Sequence, residues 1–187
     1  MRYLKRQGLK WIKSILEQCL EDKDMIKANF VTAREAAAMV KDGDTVCTVG
    51  MTLVSASESI LKALEKDFIE TGHPCGMTLL HSCGQSDRKD GIQHFAHEGM
   101  IKRIIGSHWG LQPRWMEMIA GNQVEAYCLP QGQIAQLYHS MACGLPGKMS
   151  KVGLGTFIDP RYEGGKMNDR TKPLEDIIDI MEYRGEE

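Results

Sequence analysis

Short apolar runs alternate along this chain with longer segments of helical period, and this alternation limits the fold more than any other feature. Three runs are rich in β-branched and other apolar residues and end at turn residues, which is typical of buried strands. They read DTVCTVG (44–50), MTLLHSCG (77–84) and VEAYCLP (124–130). Strands that alternate with helices form βαβ units. The sequence therefore predicts an α/β fold with a mostly parallel sheet flanked by helices.

The predicted helices carry start and stop signals. In TAREAAAMVKDG, Thr32 and Glu35 have the spacing of a capping box. Ser55 and Glu58 have the same spacing before ESILKALEKDFIETG. The predicted stops are Gly43, Gly72 and Gly144, and Pro113 lies in the first turn of a helix over PRWMEMIAGN.

The stretch FAHEGMIKRIIGSHWG predicts a helix followed by a further short strand. In a parallel sheet, ligands bind at the carboxyl ends of the strands. The loops predicted at those ends span residues 50–57, 84–91, 106–112 and 130–132. These loops are where we expect a site.

The bulk composition bounds the class of protein. With 187 residues, of which 42% are hydrophobic, the chain can bury the core of one domain. A formal net charge of -2 gives no general electrostatic reason to bind nucleic acid. No apolar run approaches the ~20 residues of a membrane-spanning helix. Six cysteines without a C-x-x-C pair or a secretory signal favour reduced, mostly buried thiols in a cytoplasmic protein.

Residues 1–24 are predicted to form an amphipathic N-terminal extension. Apolar residues recur at helical spacing from Leu9 to Leu20, after a basic start. The acidic run that begins at Glu17 argues against a transit peptide or a membrane-surface helix. The main domain is predicted over residues 25–187. Met25 leaves open whether residues 1–24 are an added helix or precede the natural start.

Metal ligands are one candidate chemistry. His94 and His97 offer nitrogen ligands, and the His-x-Cys segments at 73–75 and 81–83 offer nitrogen and sulfur. Neither the C-x-x-C nor the H-E-x-x-H pattern accompanies them. A structural role for these histidines is therefore the favoured interpretation.

Nucleophilic and phosphate-binding patterns are weaker still. The sequence has no G-x-S-x-G segment, and Cys47 and Cys128 fall in predicted strands, where burial makes a thiol unreactive. The Ser-rich start of the helix after VGMTLVSASE can hold an anion through its free N–H groups, or simply cap the helix.

Several longer blocks are more specific than any of these patterns. They read DGDTV, TGHP, GQSD, HFAHEG, KR-x-I-G-x-HWG, LPQG and KVGLGTF-x-DPR-x-EGGK-x-N. Together they closely resemble the N-terminal half of the family I CoA-transferases, the acetate, propionate and 3-oxoacid type, over residues 26–187. The resemblance assigns the histidine-rich blocks to the sheet and loops of that fold rather than to a metal site.

The resemblance implies a NagB/RpiA-like α/β fold and a ping-pong transfer of CoA from an acyl-CoA to a free carboxylate. In this family a glutamate attacks the thioester and then carries CoA as a glutamyl thioester. That glutamate lies in an S-E-x-G segment of the C-terminal half or of a separate β-type chain, and this sequence has no such segment. The resemblance thus implies no catalytic nucleophile, metal or permanently bound cofactor here, with coenzyme A and acyl-CoA as substrates.

The resemblance also implies that the chain stops before the family's N-terminal half is complete. An incomplete half would leave a sheet edge or an apolar face uncovered. We therefore expect a C-terminal, β-type half or a further copy of the chain as partner, together with small carboxylic acids and acyl-CoA.

The loop after the first strand departs from the family pattern G-G-F-x-G-x-G-x-P-E. A gap-free alignment keeps Gly50 and Glu58, but puts Met51 for Phe and Ser55 for a glycine. β-Carbons there would crowd an acyl group. In the next loop Gln85 matches the family, either as a polar group at the substrate or as a residue that pins its loop. The predicted substrate-binding residues are Gly50, Met51, Ser55, Gln85, His108 and Gln131.

Two functions remain open from the sequence. The first is the N-terminal domain of a CoA-transferase, inactive without the glutamate of a C-terminal half. The second is a degenerate, non-catalytic binding or assembly module with the same fold. The altered loop favours the second function, and the intact later blocks favour the first. The sequence does not indicate which acyl group or acceptor acid is used.

Overall fold

The computed structural model describes residues 29–182, 184 and 185. The described helices and strands lie in one unit, residues 32–187. The extension predicted for residues 1–24 lies outside the described residues, and the boundary at residue 25 remains a prediction. The elements in chain order are α1 (Ala33–Ala37), β1 (Thr45–Thr48), α2 (Glu58–Thr71), β2 (Met77–His81), a 3-10 helix (Gly91–Phe95), β3 (Ile101–Gly106), α3 (Pro113–Ala120), β4 (Glu125–Cys128) and α4 (Gln131–Ala142).

The four strands form one parallel sheet in the order β1-β2-β3-β4. Its register aligns apolar side chains in a row across all the strands: Val46 pairs with Leu79, Leu79 with Ile104, and Ile104 with Ala126. This row belongs to the hydrophobic core, because side chains at aligned positions point to the same face of a sheet. The predicted α/β class with a parallel sheet is confirmed.

Helices pack on this sheet through a few large side chains. Leu61 and Leu64 of α2 are buried, as are Phe95 of the 3-10 helix and Trp115 of α3. The Trp115 indole N–H donates to the carbonyl of Ile92 at 2.8 Å, so this buried ring leaves no unsatisfied donor. None of the described helices is long and apolar enough to cross a membrane.

The two predicted capping boxes have different outcomes. The box at α1 is confirmed: the Thr32 hydroxyl accepts from the Glu35 N–H at 3.2 Å, and the Glu35 carboxylate accepts from the Thr32 N–H at 2.7 Å. The prediction of a box at α2 was wrong, because the N-cap is Ser57 and its side chain makes no capping bond. Glu58 instead accepts from the distant N–H of Gly91, at 3.0 Å.

The helix ends also differ in part from the prediction. Gly72 ends α2 in a left-handed conformation, with φ +79°, and Pro113 begins α3, both as predicted. Helix α1 ends at Ala37, before Gly43. The prediction of a helix over FAHEG was wrong: a 3-10 helix covers Gly91–Phe95, and residues 96–100 run without a helix before β3.

Residues after α4 run mainly as turns and close one edge of the sheet. The N–H of Cys128 donates to the Gly165 carbonyl at 2.8 Å, and the N–H of Met167 donates to the Ala126 carbonyl at 2.9 Å. The buried Asn168 amide donates to the carbonyls of Ile119 and Val124, each at 2.9 Å. This segment is thereby fixed against β4 and α3 without a helix or strand of its own.

Candidate functional site

The candidate site lies where the parallel strands end together. Strand β1 ends at Thr48 and β2 at His81, so the loops 49–57 and 82–90 leave the same edge of the sheet. The loop after β3 and the start of α4 lie at that edge too. Ligands bind at this edge in parallel α/β sheets.

Gly50 and Gln85 meet at the end of β1. The Thr48 hydroxyl donates to Gln85 Oε1 at 2.8 Å, and Gln85 is only 1% exposed. Gly50 has φ +146°, and a β-carbon there would lie 2.6 Å from the Val54 carbonyl oxygen and 3.1 Å from Gln85 Cγ. Both the backbone conformation and the available space therefore require glycine at this position.

In the described residues, only one end of the Gln85 side-chain amide has a hydrogen-bond partner. Its Oε1 is used by Thr48, but its buried Nε2 has no hydrogen-bond partner among the described residues, and neither have His81 Nε2 and Gln112 Oε1. These atoms lie on the end of β2 and in the loops after β2 and β3. Buried polar groups normally have partners. Their concentration at one edge is what a site for a polar ligand needs.

A cavity of about 140 Å³ opens at the same edge. Cys83 joins it to Gly50, because its thiol donates to the Gly50 carbonyl at 3.4 Å. Of the residues predicted from the resemblance, Met51, His108 and Gln131 line this cavity. Gly50 and Gln85 lie beside it, and Ser55 does not line it. The full lining is Met51, Thr52, Cys83, His108, Leu111 and Gln131.

Several residues of this edge were missed from the sequence. Thr52, Cys83 and Leu111 match no signature, and their only signal is their position after a predicted strand. The Tyr138 hydroxyl donates to the Thr48 carbonyl at 3.2 Å and so ties α4 to the end of β1. Burial raises the pKa of Tyr138 to about 12, which keeps this phenol neutral.

His81 is a neutral donor beneath the site. Its Nδ1 accepts from the Gly84 N–H at 2.9 Å, so the proton of the neutral ring is on Nε2. Burial, followed by the charge of His108, lowers the pKa of His81 to about 3. The ring packs edge-on against Trp109, with centroids 5.1 Å apart.

Two residues of loop 49–57 adopt a backbone conformation that favours glycine. Thr52 has φ +54° and Ser55 has φ +63°. Ser55 stands where the resemblance expects glycine. The backbone at residue 55 therefore keeps a glycine-type conformation although the side chain has changed.

The histidines of the HFAHEG block contact carboxylates and do not line the cavity. His94 contacts Glu65 through Nδ1 and Glu58 through Nε2, the latter at 2.7 Å, and His97 contacts Glu65 at 2.7 Å. Burial lowers the pKa of His94, but these hydrogen bonds outweigh burial and raise it. Burial likewise raises the pKa of both glutamates, and their hydrogen bonds to the histidines outweigh it and lower it.

Neither metal set considered from the sequence is complete in the described residues, although His73 and Cys75 lie together with Asp42. His94 and His97 share a carboxylate instead, and the segments 73–75 and 81–83 contribute no common set of ligands. In the three-residue set of Glu58, Asp90 and His94, Lys62 Nζ lies 3.1 Å from Glu58 and 3.3 Å from Asp90. This ammonium already supplies positive charge to those carboxylates. The described three-residue sets are Asp42, His73 and Cys75, and Glu58, Asp90 and His94.

Known proteins share sequence with most of this chain. The caffeate CoA-transferase of Acetobacterium woodii is 39% identical over 161 residues, which are 86% of this chain and 30% of that protein. One of the subunits of the succinyl-CoA:3-ketoacid coenzyme A transferase of Helicobacter pylori is 27% identical over 77% of this chain and 60% of its own length.

A crystal structure with the same fold shows a CoA complex. It is the acyl-CoA transferase YdiF of Escherichia coli O157:H7, in a thioester complex with CoA, with a TM-score of 0.76 and 33% identity. The match covers 83% of this chain and 30% of that one. The chain thus spans about 30% of the length of the first of these relatives and of this structure. Residues 30–184 match the family described as coenzyme A transferase, and the chain belongs to that family.

Proposed function

We propose that this chain is the N-terminal domain of an acyl-CoA:carboxylate CoA-transferase, which reacts only when a segment with the nucleophilic glutamate completes the site. One observation carries this proposal. Met51 and His108 from two loops and Gln131 from the start of α4 line one cavity beside Gly50 and Gln85. The names of the relatives support CoA thioesters and small carboxylic acids as substrates.

The proposed reaction passes through two acyl exchanges. The glutamate carboxylate attacks the thioester carbonyl and expels CoA thiolate, leaving a mixed anhydride. The thiolate then attacks the glutamyl carbonyl and releases the first carboxylate, which leaves a glutamyl-CoA thioester. An acceptor carboxylate reverses the same steps and leaves as the new acyl-CoA. In this proposal, the present chain supplies no nucleophile to these reaction steps.

The residues of this chain would bind and orient the reacting groups. Gly50 has no side chain, so the Val54 carbonyl and Gln85 can pack against it and shape the loop beside the cavity. The unpartnered Nε2 of Gln85 is a neutral donor suited to a carbonyl or carboxylate oxygen. A donor that is already fixed needs no reorganisation when charge develops on that oxygen.

The partner follows from the same proposal. The completing segment would be a C-terminal, β-type half. Alternatively, a second copy of this chain would cover the surface that such a half would otherwise cover. A relative whose enzyme is divided into subunits supports a divided enzyme. A cytoplasmic location remains a prediction. The described cysteines are free, namely Cys47, Cys75, Cys83, Cys128 and Cys143.

A non-catalytic module is the alternative. The observation that favours it is the loop after β1, where Met51 and Thr52 line the cavity with full side chains and Ser55 stands in place of glycine. A chain of this kind would bind CoA or a partner without transfer.

Co-expression separates these functions. The chain is produced with the part of the Acetobacterium woodii caffeate CoA-transferase that lies outside the matched stretch, and CoA transfer to a carboxylate is measured. We expect no transfer by the chain alone and transfer by the complex, reduced by Gln85→Ala. A complex that forms without transfer would favour the non-catalytic module. Sequencing the DNA beside the reading frame for an S-E-x-G segment would identify a natural completing half.

A further inference from the structure

Glu58 lies at the junction between the two loops of the candidate site. It is the first residue of α2, directly after loop 49–57. One carboxylate oxygen accepts from the backbone N–H of Gly91 at 3.0 Å, and the other contacts His94 Nε2 at 2.7 Å. Both partners belong to the 3-10 helix, which follows the loop of Gln85. A single side chain therefore joins the end of one loop to the end of the other.

The segment that Glu58 holds is also the segment that fixes Gln85. The N–H of Ile92 donates to the Gln85 carbonyl at 2.8 Å. A β-carbon on Gly91 would lie 1.9 Å from that carbonyl oxygen, so the two stretches are in direct contact. The Gln85 side chain in turn accepts from the Thr48 hydroxyl at 2.8 Å. Contacts run unbroken from Glu58 to the end of β1.

Charged groups surround His94 from each element packed against it. Its ring contacts the carboxylates of Glu58 and Glu65, which a protonated imidazole holds more strongly than a neutral one. The Arg114 guanidinium of α3 lies 3.9 Å from the Glu65 carboxylate. The remaining charged groups in this cluster are Lys62, Asp90 and His97.

We propose that Glu58 and His94 are positioning residues of the CoA-transferase site, which hold the loop of Gln85 against Gly50 and so aim the Gln85 amide at the substrate. The identity of the substrate rests on the proposed function, whereas the coupling between the two loops does not. Neither Glu58 nor His94 lines the cavity. Glu58 acts through Gly91, whose neighbour Ile92 holds the Gln85 carbonyl, and His94 acts through Glu58.

The coupling has a direction in pH. Hydrogen bonds to the two carboxylates raise the pKa of His94 against the effect of burial. The imidazolium is therefore fully formed below the ordinary histidine pKa of 6.5, and it is lost as the pH rises through the raised pKa of His94. The hold on Glu58, and with it the position of Gln85, weakens on the alkaline side.

The coupling is tested first in the chain alone, by ¹⁵N NMR from about pH 5.5 to about pH 9. The Gly50 backbone amide and the Gln85 side-chain amide are followed, and loss of a signal in Gln85→Ala assigns the latter. We expect both signals to titrate in the wild type and not in His94→Gln. Glu70→Gln, an exposed position on the same helix, is the control and should leave both titrations unchanged.

Glu58→Gln is the second variant. It keeps an oxygen for the Gly91 N–H but loses the charge that attracts His94, so we expect both signals to shift. If Gly50 and Gln85 stay unchanged in both variants while unfolding remains cooperative, the positioning role is refuted.

Kinetics of the completed complex give a readout that a purely structural role would not move. Glu58→Gln should lower kcat/KM for the acceptor by roughly 10-fold to 100-fold, because small misplacements of a binding group are expensive in rate. His94→Gln should remove the alkaline decline from the pH profile. Unchanged kinetics in both variants would overturn the positioning role. A wild-type complex without transfer would instead overturn the proposed function, and the NMR result would then decide the coupling.

Discussion

Replacing Ser55 by glycine should stabilise this protein, although the change removes a side chain. Ser55 has φ +63°, in the left-handed region that is unfavourable for residues with a β-carbon. The residue is exposed and does not line the cavity, so little packing is lost.

The magnitude follows from two opposing terms. A left-handed conformation costs a residue with a β-carbon ~1–2 kcal/mol. The substitution loses about 0.5–1 kcal/mol of this stabilisation, because glycine gives the unfolded chain more conformational freedom, which is lost on folding. The net increase in the free energy of unfolding is therefore ~0.75 kcal/mol from the middle of each range, and about 1.5 kcal/mol at most, and the middle value corresponds to about 1.5–3 °C in Tm for a chain of this size.

Denaturant unfolding is the assay, with the midpoint compared at constant slope. Gly43→Ala is the reverse control: Gly43 has φ +77°, and a β-carbon there would meet no atom within 4 Å. Its destabilisation, about 1 kcal/mol, measures the conformational term without a steric clash. If Ser55→Gly lowers the midpoint while Gly43→Ala behaves as expected, the serine stabilises its loop by other means and the reasoning fails.

Three further changes test other parts of the structure. His94→Gln should destabilise the fold by ~3 kcal/mol between about pH 4.5 and about pH 6.5. The difference in the free energy of unfolding should shrink above this window as His94 deprotonates, and below it as its glutamate partners protonate. Unfolding measured as a function of pH would show both trends. Asn168→Ala should cost ~2 kcal/mol, because two buried carbonyls lose their donor; an unchanged denaturation midpoint would contradict this. Gly106→Ala should destabilise by more than about 1 kcal/mol, since a β-carbon would lie 2.3 Å from the His81 ring; His81→Ala should relieve much of the loss in a double-mutant cycle.

The sequence predicted well where a local pattern decides the structure. The β-branched run around Val46 and the apolar run around Leu79 became neighbouring parallel strands. Strand β2 is largely buried, as such a run indicates, whereas the expected burial of β1 was wrong: its residues alternate between exposed and half-buried, and Cys47 is exposed. The capping box of Thr32 and Glu35 formed because both partners are three residues apart and exposed. Signals of this kind need no knowledge of the rest of the chain.

Prediction failed where distant partners compete with local ones. Glu58 has the spacing for a capping box with Ser55, but Gly91 and His94 offer it a backbone donor and an opposite charge. No local pattern reveals a partner more than thirty residues away. Cys83 enters the site for a similar reason, since only the register of the sheet places it beside Gly50.

The contact between Gly106 and His81 has a consequence for the variation that this protein can tolerate. Ring atoms of His81 occupy the volume where a side chain at position 106 would begin. Substitutions at the two positions are therefore not independent: a larger residue at 106 requires a smaller one at 81. A histidine at position 81 restricts position 106 to glycine, so functional variants should show the two positions changing as a pair.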